Sequence, residues 1–164
     1  MNDLTDLDRR LSAIEDREAI RELIARYGPL ADSGQAEDLA TLWAPDGVYE
    51  VVGYASATGH AEIAALIEGP VHQELMTAGC AHALGPVAID LDGDRAIARG
   101  HSVVFRCRCP SSSDMVPEFE VHRVSANRWV LDRTARGWRV VHRTNALLDG
   151  TEAARILLLP YPAN

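Results

Sequence analysis

The apolar positions of this chain change period near its middle. In the first third, Leu4, Leu7, Leu11 and Ile14 recur at three- and four-residue intervals. Ile20, Leu23, Ile24 and Tyr27 continue a stripe of the same kind, with charged residues on the other side. That period fits one face of an α-helix. Gly28-Pro29 is expected to kink or end the helix, because proline cannot donate to the preceding turn, and Asp32-Ser33-Gly34 reads as its exit. A shorter helix is expected over Ala36–Trp43, stopped by Pro45, and another over roughly His60–Glu68, started by Thr58-Gly59 and closed by Gly69-Pro70. Between these two, Asp46-Gly47 marks a turn and Val48–Val52 a strand.

Beyond residue 80 the pattern becomes that of strands. Ala81–Leu91 and Arg95–Cys107 flank Asp92-Gly93-Asp94, and Asp-Gly between two β-rich runs is a strong hairpin signal. After a polar Pro-Ser-Ser-Ser-Asp loop at Pro110–Asp114, Glu118–Arg133 and Gly137–Asn145 form a second hairpin, turned at Ala135-Arg136-Gly137. Helices first and antiparallel strands after them predict an α+β fold, with helices on one face of a curved sheet. No internal repeat and no long linker divides the 164 residues. A single domain is expected, with a core over about 10–146 and a tail over 147–164 that carries Ile156-Leu157-Leu158-Leu159.

Composition narrows the partners. Apolar residues make up 47% of the chain and charged ones 24%, ordinary values for a globular protein. The net charge is −8, there is no lysine, and the arginines are scattered. That argues against nucleic acid, whose phosphates require clustered cations. No apolar run approaches the ~20 residues of a membrane span, and the acidic, polar start does not read as a signal peptide. Three cysteines, Cys80, Cys107 and Cys109, fit a reducing, cytoplasmic setting better than a disulfide framework. Cys107-Arg108-Cys109 lacks the second ligand pair of a closed zinc site. No dinucleotide or phosphate-loop motif occurs. No metal and no cofactor are therefore expected.

Two residues carry the candidate chemistry. Asp32 lies at the end of the long helix, where a carboxylate is electrostatically disfavoured and needs a compensating partner. An Asp at a helix exit ordinarily bonds the backbone just after it, here Ser33 or Gly34. His82 opens a strand in Cys80-Ala81-His82-Ala83-Leu84. A lone strand histidine is usually structural, yet imidazole is the side chain best suited to move protons near neutral pH. Paired, a carboxylate accepting the Nδ1–H fixes the tautomer and stabilises the imidazolium formed at Nε2. Tyr27 and Trp43 are read as helix aromatics, either core or pocket lining. His60, His72, His122 and His142 are read as structural or exposed.

The stretch Ile20–Tyr27, then Ala31-Asp32-Ser33-Gly34, then Leu42-Trp43-Ala44-Pro45-Asp46-Gly47-Val48-Tyr49 resembles the opening of the SnoaL-like branch of the nuclear-transport-factor-2-like superfamily. Gly59-His60-Ala61-Glu62-Ile63, Ala81-His82, Asp92–Ala96 and Gly137-Trp138-Arg139-Val140 extend the resemblance over about 10–146. It implies a cone-shaped, curved antiparallel or mixed sheet packed against three helices from the N-terminal half, with a small-molecule pocket in the cone. Within the branch the chain is most similar to scytalone dehydratase and the lindane dehydrochlorinase. There a helix-exit Asp and a strand His form a catalytic dyad, which implies His82 as general base and Asp32 as its orienting partner. Ser125-Ala126-Asn127 resembles a dehydratase segment whose Asn contacts substrate, and Arg143 falls where the dehydrochlorinase carries a pocket Arg. Arg143 pairing with a surface acid is the alternative. Tyr49 or Tyr54 is a candidate phenol for polarising a carbonyl, and His101 shares strand parity with Cys107, where the dehydratase has a second His. The dehydratase's Tyr is replaced by Ala31, which argues against scytalone as substrate.

These residues imply a lyase or isomerase, dehydratase-like and free of cofactors, that takes a carbon-bound proton from a small, partly apolar cyclic molecule. A different class competes. The same fold serves as a non-catalytic binding or assembly subunit, as in the small subunit of ring-hydroxylating dioxygenases. The discriminator is whether Asp32 and His82 lie within hydrogen-bond reach and face one cavity. The open sheet edge and the resemblance also imply a homo-oligomer, a trimer ahead of a dimer.

Overall fold

The computed structural model describes residues 2–108 and 116–160, so Cys109 and the Pro-Ser-Ser-Ser-Asp loop lie outside the described residues. The first apolar stripe forms α1 (Asn2–Ala25). Only its C-terminal part enters the core: Ile20, Leu23 and Ile24 are buried, whereas Leu4, Leu7, Leu11 and Ile14 are exposed. The chain breaks at Arg26 and resumes as α2 (Tyr27–Asp32). The break lies where Gly28-Pro29 is expected to kink or end the helix: Pro29 has no N–H for the carbonyl of Ala25, the last residue of α1, while the flanking bonds from Arg26 to Glu22 and from Leu30 to Arg26 are made.

Next come α3 (Ala36–Ala40), β1 (Trp43–Val51), β2 (Ala55–Thr58), α4 (Gly59–Glu68) and α5 (Pro70–Ala78). Two expectations are corrected. Trp43 opens a strand rather than closing a helix, and Asp46-Gly47 lies inside β1, where the pairing with the last strand shifts register between Trp43 and Val48. Gly69-Pro70 closes one helix and starts another, since proline at the first helical position gives up no bond.

The strands are β3 (Cys80–Leu84), β4 (Ala88–Asp92), β5 (Arg95–Arg108), β6 (Glu118–Thr134) and β7 (Gly137–Leu147), followed by α6 (Glu152–Ile156). The run expected over Ala81–Leu91 is two strands, because Gly85-Pro86-Val87 interrupts it. Both pair with β5, β4 against one half and β3 against the other. The sheet has seven strands in the order β2-β1-β7-β6-β5-β3, with β4 also on β5. The β1–β7 pair is parallel and the other pairs are antiparallel. Both hairpins turn where expected, with Gly93 and Gly137 at positive φ.

The curved, open sheet wraps its concave face around a core built from α1, α2, α3 and α4 with Trp43, Trp129, Leu131, Trp138 and Val140. Two irregularities set which side chains point inward. Between β6 and β7, Leu131 pairs with Val140 but Val130 with His142, so Val141 is an extra residue. Between β5 and β6, Val104 pairs with Arg123 but Phe105 with Val121, so His122 is extra. Such bulges bend a strand and re-aim the side chains beyond them. The tail packs against β6 and β7, where the Arg128 guanidinium donates to the carbonyls of Ile156, Leu157 and Leu159 at and just beyond the end of α6.

Candidate active site

The candidate dyad forms where α2 meets β3. The approach is close because Gly28 has no side chain: a Cβ there would lie 2.2 Å from the His82 carbonyl oxygen. Asp32, the last residue of α2, does not bond the backbone after it. Its Oδ1 lies 2.6 Å from His82 Nδ1 and its Oδ2 accepts the His82 backbone N–H at 2.7 Å. The Cys80 thiol donates to Oδ1 at 3.4 Å. Three donors thus compensate a carboxylate that the helix C-terminus disfavours. Burial alone raises the Asp32 carboxyl, but the side-chain and backbone hydrogen bonds of His82 outweigh it and hold the group below its ordinary value. The carboxylate form therefore fixes the Nδ1–H tautomer of neutral His82 and leaves Nε2 as the basic nitrogen.

Asp32, Cys80 and His82 also bring three potential metal-ligand atoms within 4.8 Å of one another. Burial and the neighbouring Asp32 carboxylate push the Cys80 thiol up to about 11. At neutral pH it is a protonated donor to Asp32 rather than a thiolate ligand. His82 Nδ1 is likewise committed to Asp32.

His82 lines a cavity of about 190 Å³ whose wall also includes Tyr27, Tyr49, His72, Arg123 and Arg143. His72, from α5, is buried, and its ring centroid is 5.3 Å from that of His82. Its Nε2 donates to the Ala31 carbonyl at 2.9 Å, satisfying a carbonyl at the end of α2. Burial, reinforced by His82, lowers His72 and keeps it neutral.

Arg143, also in the lining, is 2% exposed. Its guanidinium carbon lies 4.0 Å from the Tyr27 ring, 4.1 Å from Trp129 and 4.6 Å from Tyr49. Desolvated cation–π contacts contribute about 2 kcal/mol or more. Nε and Nη2 donate to Asn127 Oδ1 at 3.1 and 2.8 Å, while Nη1 is buried without a partner. Asn127 Oδ1 also accepts from Asn145 Nδ2, and Asn127 Nδ2 donates to Ser102 Oγ. Arg123 joins the network through Ser125 Oγ at 2.9 Å and Asn145 Oδ1 at 3.2 Å. The Tyr27 and Tyr49 hydroxyls are 3.2 Å apart. Burial, the largest influence, raises Tyr49 well above its ordinary value, so it stays a phenol.

The sequence-predicted residues therefore fall into three groups. Asp32 and His82 meet, and Tyr27, Tyr49, Tyr54 and Arg143 line the same cavity as His82. Arg143 pairs with no surface acid among the described residues. Asn127 and Trp43 stand one layer back: Asn127 holds Arg143, and Trp43 packs behind Tyr49 with ring centroids 5.4 Å apart. His101 is exposed and is not in the lining, because the residues of β5 that face the cavity are Ser102 and Val104, of the opposite parity. Six polar lining residues were missed: His72, Ser102, His122, Arg123, Ser125 and Asn145. Arg123 and Ser125 share the parity of Asn127 on β6, a period-two signal that locates them. His72 sits on the unrecognised α5.

A family model described as a SnoaL-like domain matches residues 12–144. An NTF2-like protein with a cystatin-like fold from Novosphingobium aromaticivorans is 61% identical, over 98% of this chain and 99% of that one, with a TM-score of 0.89. A Catenulispora acidiphila protein in complex with S-DNPA is 22% identical, over 87% of this chain and 98% of that one, with a TM-score of 0.67. ActVI-ORFA from Streptomyces coelicolor is 19% identical, over 82% and 98%, with a TM-score of 0.65. The last two are similar in fold. No curated protein matches the chain. No described helix is long and apolar enough to cross a membrane. With the model matched over most of its length, the chain belongs to the SnoaL-like domain family.

Proposed function

We propose that this protein is a lyase or isomerase that works without a cofactor, with His82 as general base and Asp32 as its positioning residue. The observation that carries the reading is the 2.6 Å contact between Asp32 Oδ1 and His82 Nδ1 in the wall of a cavity that Tyr27 and Tyr49 also line. His82 Nε2 takes a proton from a carbon next to a carbonyl. The C–H electron pair moves into an enolate, and the imidazolium is balanced by Asp32.

The two phenols supply the acid side. One hydroxyl donates to the other, which leaves one O–H hydrogen for the substrate carbonyl. From the enolate, either a β-substituent departs with its electron pair or the proton returns to a different carbon. A departing hydroxide takes the proton from the imidazolium and leaves as water. General-base catalysis contributes ~10²–10⁴-fold, and positioning with oxyanion stabilisation supplies more. The small, largely apolar cavity suits a compact aromatic or alicyclic molecule. The Catenulispora protein holds a small ligand, S-DNPA, on the same fold, which is consistent with this use of the cone. A homo-oligomer, a trimer ahead of a dimer, remains part of the proposal.

The test is solvent exchange at activated C–H bonds of 2-tetralone in deuterium oxide, followed by proton NMR. The protein is expected to accelerate exchange at the carbons beside the carbonyl, and His82→Gln to remove about 10²-fold or more of that acceleration. Equal rates in wild type and His82→Gln would sink the general-base assignment.

A further inference from the structure

The cavity wall carries a charge imbalance that proton abstraction does not use. None of its described lining residues is acidic, while Arg123 and Arg143 both belong to it. This occurs in a chain whose net charge is −8. Buried or half-buried guanidiniums are ordinarily matched by a carboxylate, because an uncompensated charge in a poorly solvated site is costly. Here neither arginine has an ion-pair partner among the described residues.

The groups that hold them are neutral. Arg143 donates to the Asn127 amide, and Arg123 to the Ser125 hydroxyl and the Asn145 amide. Asn145 in turn donates to Asn127, so one chain of amides fixes both guanidiniums. These oxygens orient the two cations without neutralising them. Arg143 Nη1 has no acceptor although it is buried, and no bond from Arg123 Nη1 is found among the described residues. Two fixed positive charges with donors to spare match an anionic oxygen group, which arginine binds through paired, charge-assisted hydrogen bonds.

We infer that the natural ligand of this cavity is a carboxylate-bearing molecule whose anionic group sits against Arg123 and Arg143. The inference rests on the proposed proton abstraction only for its geometry, and it names the substrate class that reading leaves open. His82 pairs with Val104, and Val104 with Arg123, across β3, β5 and β6. Their backbones are thus two strand spacings apart, about 10 Å. A ring with a carboxylate on one side and an acidic C–H on the other spans from the arginines to Nε2.

The experiment uses trans-cinnamate and its neutral counterpart cinnamamide, titrated calorimetrically into wild type, Arg123→Gln and His82→Gln. Arg123 is the chosen variant because it is less buried than Arg143 and less exposed to a folding failure. Cinnamate is expected to bind about tenfold or more tighter than cinnamamide. Arg123→Gln is expected to erase most of that preference while leaving cinnamamide unchanged, and His82→Gln to retain it. Equal binding of acid and amide overturns the inference, as does equal weakening of both in Arg123→Gln, or failure of cinnamate to bind at all. The tetralone result is independent: exchange that depends on His82 without a carboxylate preference defeats only this inference, and the preference without exchange defeats only the general base.

Discussion

Two regions of one cavity wall hold their charges in opposite ways. At the α2–β3 contact, the carboxylate of Asp32 meets the imidazole of His82, and its two oxygens take three donors. At the β6–β7 contact, Arg143 and Arg123 meet only amide and hydroxyl oxygens. The first arrangement suits a proton that comes and goes, because the partner charge offsets the imidazolium when it forms. The second preserves a permanent charge for something outside the chain. The two also differ in what secures them. Asp32 and His82 rest on a close backbone approach, whereas the arginines rest on a polar network and, for Arg143, on three aromatic faces.

Three substitutions test this contrast. The largest effect is expected from Asn127→Leu, which strips Arg143 of its acceptor and leaves a buried cation without compensation. The expected loss is about 3 kcal/mol or more of unfolding free energy, read by urea denaturation. A loss under about 1 kcal/mol would show that the aromatic rings alone hold the guanidinium.

Gly28→Ala attacks the other region through sterics. Its Cβ would sit 2.2 Å from the His82 carbonyl oxygen, so β3 must move from α2. A cost of about 1–3 kcal/mol is expected, together with loss of the single Nδ1–H tautomer of His82 in nitrogen-15 NMR. An unchanged tautomer signature would mean that the pair tolerates displacement.

Asp32→Asn has the smallest expected effect and is distinguished by its pH dependence. The folded carboxyl of Asp32 is lowered, so its contribution is complete above the unfolded value near 3.9 and disappears as pH falls through the folded value. The wild-type advantage over Asp32→Asn is expected to be about 1–2 kcal/mol at neutral pH and to shrink below about pH 4. An advantage that is the same at pH 3 and pH 7 would argue against the ionised pair.

Legibility follows the same division. Asp32 and His82 are visible as a helix-exit carboxylate in need of a partner and a strand imidazole, and the resemblance pairs them. Arg143 follows from a resemblance. Arg123 is hidden because it is one of many scattered arginines, although the alternation Arg123, Ser125, Asn127, Trp129 places it once Asn127 is assigned inward. His72 is hidden by Pro70, whose ring reads equally as a helix stop and a helix start.

The sequence by itself determined the α+β class, helices before strands and both hairpin turns, because local periodicity and turn chemistry specify these, while β2, α5 and the division of β3 from β4 escaped it. Only the tertiary structure decided which wall each polar side chain faces. The extra residues at His122 and Val141 reverse strand parity, and a shift of one residue exchanges the two faces of a strand. That is why Val140 and Arg143, an odd number of residues apart, both turn in, whereas β5 carries no extra residue and its steady alternation, with Ala96, Ala98, Ser102 and Val104 inward, turns His101 out. It also decided that Gly28 serves a contact as well as the kink, since the atom it accommodates belongs to a strand more than fifty residues away.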